Sequence, residues 1–453
     1  MRTGTARCLL GVLSPLLMTT TPLAAAPTAE AGRPSALATA EQLAAERTLL
    51  RLVGDPQVKA LQASLATELA GGPLADSPDA KSQVHRAVRL WTNALILREY
   101  TAGLARPAIA WTPDDTPHTW FGHTIEGMAT AGDNPDHIYR YAALDGSARY
   151  VIDGWIAQGH RPVQFSFEST HGTPAIFGAG RSSGSADMGD QIGMLTDRDI
   201  EVDGDGHFRL TVGGPGGGRN HLPLSPGPVS LNVRDVFSDW DQRPIRLTID
   251  RVDGGRARRI SYSELRQRVL NDLSTFVRTW SSFKVNWLGG IKPNTVVGPV
   301  GRSGGWGYIA GGRFSLAPGE ALQITTSRGP AAYTGVQVTD PWIVAPDGSR
   351  HLTSQNISQA KPDSDGSYTY ILSPQDPGVA NWIDSAGLRN GYVLLRWQQL
   401  PPEATADGLL KDYKVIRLAD GLPQGLVKVT PEQRAAQMAE HRSQYANRLA
   451  PPD

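Results

Sequence analysis

Cysteine is almost absent from this 453-residue sequence: there is one, Cys8. It lies in a stretch with the three parts of an export signal: Arg2 and Arg7, the apolar run CLLGVLSPLLM, and the small-residue segment PLAAAPTAEA. Residues 1–26 are therefore expected to be cleaved, and the mature chain to contain no disulfide, no thiolate ligand and no cysteine nucleophile. Cys8 also lacks the small-residue setting of a lipoprotein box, so a lipid anchor is not expected. An exported but cysteine-free chain suits the periplasm of a bacterial envelope, or secretion.

Long hydrophobic runs are missing too. The signal's apolar run is broken by Gly11 and Pro15, falls short of the roughly 20 residues needed to span a bilayer, and no later segment comes closer. Net charge is absent as well: 44 basic residues balance 44 acidic ones. No global field then draws the chain to nucleic acid or to anionic lipid, and both are excluded as main partners.

Turn formers are plentiful, with 49 Gly and 33 Pro. With ordinary aromatic content, that favours turn-rich β-structure over disorder. The length implies two or three domains.

The period of the apolar residues divides the chain. Residues 36–106 read as a helical lobe. Asp55 caps a helix that has Pro56 at its first position, Val58, Leu61, Leu65 and Leu69 on one face, and Gly71 at its end. A second helix runs from about 79 to 104 through Val84, Val88, Trp91 and Leu95, and a weaker one covers 39–53. From 111 to 258 the period falls to two, in segments such as RYVIDGWI, VQFSFES and VSLNVRDVF, which predicts a first β-sandwich. DGDG at 203–206 reads as a hairpin turn between two strands rather than a calcium loop.

A capping box of Ser261 and Glu264 opens a long helix over 261–287, whose stripe of Leu265, Val269, Leu273, Phe276, Trp280, Phe283 and Trp287 should be buried between two β-domains. Strands return over 295–400 as a second sandwich, and Thr430 with Pro431 starts a terminal helix over 430–449. The fold class is thus mainly β: two sandwich or jelly-roll-like domains, an N-terminal helical lobe and a bridging helix.

Three stretches, DNPDHIYRYAALDG (133–146), GGRNHLPLSPGPVSLNVRDVFSDW (217–240) and DPGVANWIDSAGLRNGYVLLRWQ (376–398), resemble the bacterial family catalogued as the domain of unknown function DUF1214, often associated with DUF1254. The resemblance covers most of 111–400. It implies β-sandwich or jelly-roll domains and carries no assigned reaction. The export signal and the helical lobe depart from the family pattern.

Two segments are candidates for chemistry. In DNPDHIYR, Asp133, Asn134 and Asp136 form a turn around Pro135, and strand alternation puts His137 and Tyr139 on one face and Arg140 on the other. An imidazole and a phenol beside two carboxylates exceed what a turn requires. In DPGVANWIDSAG, Asp376 opens a turn, Asn381 and Trp382 are expected to be exposed at its exit, and Asp384 follows. An indole flanked by amide and carboxylate suits a sugar or another flat ligand; equally, the Trp could plug a sandwich end.

If both loops reach one junction, a carboxylate from each could form an acid/base pair, with one buried and protonated and the other solvated and ionised. Arg219, Asn220 and Arg234 are added as binding candidates, and Arg219, Arg234 and Arg396 as braces for carboxylates or grips for an anion.

Metal and nucleotide chemistry are weaker readings. His118 and His123, with Glu126 and His137 nearby, are spaced so that the first two would point to opposite faces of a strand. The glycine-rich GPGGGRN at 214–220 lacks the context of a phosphate loop, and GRSSGS and GRSGGW lack that of a serine elbow. No cofactor is expected. The sequence therefore points to an exported enzyme, a hydrolase or lyase acting on a carbohydrate or other small polar molecule by carboxylate acid/base chemistry. A non-catalytic binding module built on Trp382 is the alternative, and an oligomeric structural protein a third.

Overall fold

The computed structural model describes residues 1, 35–176, 191–255, 257–302 and 307–449. The expected signal at 1–26 lies outside the described residues beyond Met1, as do GRSSGS and the end of GRSGGW.

The lobe has three helices, α1 (Ala40–Val53), α2 (Pro56–Gly71) and α3 (Pro78–Ala102). Each begins on a side chain that accepts a backbone N–H: Thr39 from Gln42, Asp55 from Gln57 and Val58, and Ser77 from Ala80. α3 is buried continuously from Leu90 to Glu99, which makes it the central helix of the lobe.

The first sandwich contains β1 (Ala110–Trp111), a hairpin of β2 (His118–Trp120) and β3 (His123–Ile125), then β4 (His137–Asp145), β5 (Tyr150–Trp155), β6 (Gln164–His171), β7 (Gln191–Thr196), β8 (His207–Val212), β9 (His221–Leu222), β10 (Pro228–Val236) and β11 (Arg246–Arg251). One sheet has the order β1-β4-β10-β6-β7 and the other β11-β5-β8-β9. Alternate residues of the long strands, Phe165 and Phe167 of β6 and Val229, Leu231 and Val233 of β10, point inward against Phe208 and Leu210 of β8. DGDG does not join two strands, because residues 200–202 pair with none; instead Asp203 accepts the backbone N–H groups of Asp205 and His207 and leads the chain into β8.

The bridging helix α4 (Tyr262–Leu288) has the expected capping box, formed reciprocally by Ser261 and Glu264. Its apolar stripe packs mainly elsewhere than expected. Leu265, Val269, Leu273, Phe276 and Trp280 share one core with the lobe helices, while the C-terminal end of the helix, through Phe283, Trp287 and Leu288, packs on Ile343, Tyr392 and Leu394 of the second sandwich. Its main partner is the apolar flank of α3, which is buried from Leu90 to Glu99.

The second sandwich contains β12 (Thr295–Arg302), β13 (Gly307–Ser315), β14 (Glu320–Thr326), β15 (Tyr333–Thr339), β16 (Ser354–Asn356), β17 (Tyr368–Ser373), β18 (Trp382–Asp384), β19 (Asn390–Gln398) and β20 (Leu410–Arg417). Its sheets are β12-β13-β19-β15-β16 and β18-β17-β14-β20. β20 lies beyond the expected limit of 400 and pairs with β14 along its length. Helix α5 (Pro431–Asn447) then returns across the molecule: Met438 packs beside Trp382 on the second sandwich, and Tyr445 joins Trp111, Ile138 and Trp240 of the first. No helix among the described residues is long and apolar enough to cross a membrane.

Candidate functional site

The segment ahead of β4 is where the two sandwiches meet. Gln337 of β15 donates to the Asp133 carbonyl at 2.8 Å and Arg396 of β19 to the Gly132 carbonyl at 2.8 Å. The Asp136 carboxylate, with no exposed surface, accepts from Trp240 Nε1 at 2.8 Å, Asn356 Nδ2 at 2.9 Å and the Tyr333 hydroxyl at 2.9 Å. Burial pushes its pKa up, while Asn356, Tyr333 and Trp240 oppose that shift. Three donors and no solvent leave Asp136 nothing to offer a substrate, so its place is structural, at the hub of the junction.

Asn134 links this hub to the strand. Its Oδ1 accepts from the Asp136 N–H at 3.0 Å, which fixes the amide's orientation, and its Nδ2 donates to Tyr333 at 2.7 Å and faces His137 Nε2 at 3.4 Å. With Nε2 as acceptor, His137 carries its proton on Nδ1 and donates it to the Tyr139 hydroxyl at 3.1 Å. Burial, reinforced by the charges of Arg234, Arg396 and Arg302, holds the His137 pKa well below its ordinary value, so the ring is neutral. Tyr139 also accepts the Asn134 N–H at 3.1 Å, which leaves the phenolic proton free for a further acceptor. His137 and Tyr139 share a face as strand alternation requires, and the Arg234 guanidinium lies 4.9 Å from the Tyr139 ring centre.

These two side chains line a cleft with Asp114, Asp115, Thr116, Asp133, Asn134 and Tyr445. Its water-accessible volume, ≈ 10 Å³, is room for about one water. The cleft adds Asp115, a carboxyl group absent from the sequence-based candidates. Asp115 and Asp133 are 4% and 6% exposed and lie within hydrogen-bonding reach of each other. Asp133 accepts from the Thr130 N–H at 2.9 Å and the Thr130 hydroxyl at 3.0 Å. Asp115 Oδ2 accepts from the Ala345 N–H at 2.6 Å, whereas its buried Oδ1 has no other donor.

Burial first, and then the neighbouring Asp133 charge, raise the Asp115 pKa well above the carboxylate range. Asp133 is raised less strongly, because its burial is offset by Thr130 and by Asp115. Asp115 is thus the more readily protonated member of the pair and the donor of the hydrogen bond between them, and Asp133, which also accepts from Thr130, is the acceptor.

The other sequence candidates lie elsewhere. Arg140, on the opposite face of β4, is buried against Asp235 and the Ile245 carbonyl inside the first sandwich. Arg219 is exposed and pairs with Glu201 at 3.3 Å, and Asn220 closes a turn through Glu201 and Arg209. None of residues 376–387 lines the cleft. Asp376 binds Arg434 of α5 at 2.8 and 3.0 Å, and Asp384 accepts from His351 Nδ1 at 2.7 Å.

Asn381 and Trp382, expected to be exposed, are 6% and 9% exposed. The Asn381 amide is consumed by Lys361 and Thr369, and Trp382 Nε1 donates to the Ser373 carbonyl at 3.0 Å under the Arg434 guanidinium. That indole packs with Ala321 and Ile371 on the outer face of its sheet, beneath Met438 and Arg434 of α5, and with Asp376 and Asp384 engaged by Arg434 and His351 a carboxylate pair made from both loops does not form.

His118 and His123 do converge, contrary to the single-strand reading, because a turn at Phe121 and Gly122 places them on two strands of one hairpin. Both reach Glu46 of α1, at 3.3 and 2.6 Å, and Trp120 and Gln42 complete that carboxylate's shell. Glu126 instead pairs with Arg89. Among the described residues no group of three His, Cys, Asp or Glu side chains is arranged to hold a metal ion.

The sequence signal that Asp115 offered was TPDDTP at 112–117, an acidic pair between two prolines. It reads locally as a turn, and only the approach of Asp133 gives it chemistry.

No family model and no curated protein matches the chain. Among solved structures it is similar to an uncharacterized protein from Burkholderia cenocepacia, with 22% identity and a TM-score of 0.64 over 84% of this chain and 100% of that one. It is also similar to the VPA0106 protein from Vibrio parahaemolyticus, with 10% identity and a TM-score of 0.38 over 63% of this chain and 90% of that one. The first likeness is one of fold.

Proposed function

We propose that the chain is an exported hydrolase or lyase acting on a carbohydrate or other small polar molecule, and that its acid/base machinery is Asp115 and Asp133 at the junction cleft. The observation that carries this reading is two buried carboxyl groups within hydrogen-bonding reach of each other, both with raised pKa, in a cleft also lined by a neutral imidazole and a phenol. A carboxyl group kept protonated at neutral pH can act as general acid, and its ionised neighbour can accept the proton that a substrate or water releases. In this scheme Asp115 donates and Asp133 accepts. His137 and Tyr139 orient the substrate by hydrogen bonds, the phenolic proton of Tyr139 being the donor within reach. The likeness to DUF1214 enters on the same footing, as a proposed kinship of fold.

The test is a screen of the purified protein against pooled oligosaccharides, esters and polar metabolites, read by mass change. Turnover that Asp133→Asn and Asp115→Asn each abolish, with folding intact, supports the assignment. Saturable binding without product would replace the enzyme with a binding module, and turnover that survives both substitutions would move the chemistry away from this cleft.

A further inference from the structure

One wall of the cleft is not part of either sandwich. Tyr445 of α5 lines it, with its hydroxyl 2.8 Å from Thr116 Oγ1 and its ring against Trp240 at 5.2 Å between centroids. Just beyond, the Arg448 guanidinium reaches Asp114 Oδ2 at 2.6 Å and the His137 carbonyl at 3.1 Å. Arg448 is 3% exposed and Asp114 6%. The cleft side of this contact is rich in carboxyl groups: Asp114, Asp115 and Asp133 all line it.

α5 itself is held by polar groups. Its buried residues are Arg434, His441 and Tyr445, which bind Asp376, the Gly348 carbonyl and Thr116. Beyond these its apolar contacts are few, chiefly Met438 beside Trp382 and the Tyr445 ring, and a segment held by few buried contacts is one where local opening can come before global unfolding.

We propose that Arg448 occupies a cation subsite of the cleft in place of a ligand, and that the ligand carries a guanidinium or ammonium group which competes with α5 for Asp114 and the His137 carbonyl. The inference rests on the cleft being the ligand site and narrows the polar ligand to a cationic one. The geometry supplies what such a group needs: a carboxylate and a carbonyl already spaced to take two N–H donors of one planar cation. Displacing the tail would also remove Tyr445 and enlarge a cleft that now admits only a water. By linkage, a ligand that needs the space filled by α5 binds the undocked state and shifts the population towards it.

Agmatine serves as the probe, with 1,4-butanediol as its uncharged counterpart. Arg448→Gln frees the subsite, and circular dichroism confirms that the variant folds. Titration calorimetry should then show agmatine bound at least tenfold more tightly than by the wild type, with no binding of the diol, and adding Asp114→Asn should abolish the gain. A folded Arg448→Gln variant that does not bind agmatine, or binds it regardless of Asp114, overturns the proposal. Should that variant fail to fold, the wild type gives the answer: saturating agmatine must accelerate amide exchange in α5 relative to β4 and β10, and unchanged exchange overturns it. Failure of the acid/base reading is separate, since agmatine binding through Asp114 does not require Asp133 to be catalytic.

Discussion

The Tyr333 hydroxyl of the second sandwich donates to the Asp136 carboxylate of the first at 2.9 Å, and accepts from Asn134 at 2.7 Å. Through Asp136 the same contact reaches Trp240 and Asn356. This buried network, rather than an apolar seam, fixes how the domains meet at the cleft, and a fully satisfied polar network specifies a unique arrangement that a greasy contact would not.

Replacing Asp136 should therefore cost stability. Asp136→Ala leaves three buried donors without an acceptor, and about 3 kcal/mol or more should be lost, since each orphaned group costs roughly 1–3 kcal/mol. Asp136→Asn should lose less, because one oxygen remains for Trp240 and Asn356. Chemical denaturation measures both. An Asp136→Asn protein that keeps its midpoint but loses all turnover would reverse this placement and return Asp136 to the catalytic groups.

Gly335 makes the Tyr333 contact possible. It sits two residues along the same face of β15, and a Cβ there would lie 2.2 Å from the Tyr333 hydroxyl oxygen and 3.1 Å from Asp136 Oδ2. Gly335→Ala should push the phenol off Asp136 and Asn134, lowering the thermal midpoint at least as far as Tyr333→Phe does. The double variant should cost less than the sum of the two, because both remove one interaction. Strict additivity in that cycle would mean the glycine serves something else.

Much of the frame was legible because it is local. Helix limits follow from Asp55, Ser261 and Thr430, whose side chains cap the turns they precede, and alternation along β4 separates His137 and Tyr139 from Arg140. What failed was non-local. The fate of Trp382 depends on Arg434, which arrives from α5 after the whole second sandwich. His118 and His123 meet only because the chain reverses at Phe121, and their common partner is on another helix. Asp115 owes its raised pKa to burial first and then to the charge of Asp133, both set by the folded chain and not by its neighbours in sequence.

Glu46 fastens the lobe to the first sandwich. Burial alone would raise its pKa, but hydrogen bonds from His118, Gln42 and His123 and the charge of His118 outweigh that and hold it below the usual value. A depressed carboxylate contributes stability above its unfolded pKa and loses it as pH falls through the folded value. Glu46→Gln should therefore destabilise the protein most at neutral pH and converge on the wild type in acid. Thermal midpoints taken from pH 7 down to pH 3 give the comparison, and parallel curves would remove Glu46 from this role.

The opposite slope belongs to Glu99 of α3, which burial, followed by the charge and hydrogen bond of Asp272 on α4, raises to about 8. Below that value the folded protein holds a proton that the unfolded chain, with a carboxylate pKa of about 4.3, has already released. Stability from this pair is therefore fully present in acid, declines as pH rises above the unfolded value, and is exhausted above about 8. Arg268, 3.9 Å from Glu99, offsets the like-charge repulsion only in part once Glu99 ionises. Glu99→Gln keeps a donor towards Asp272 without the ionisation, so its midpoint should overtake that of the wild type between pH 6 and pH 9, by an amount on the order of a few kcal/mol. A wild-type midpoint that stays level with the Gln variant across that range would mean the two helices do not share a proton.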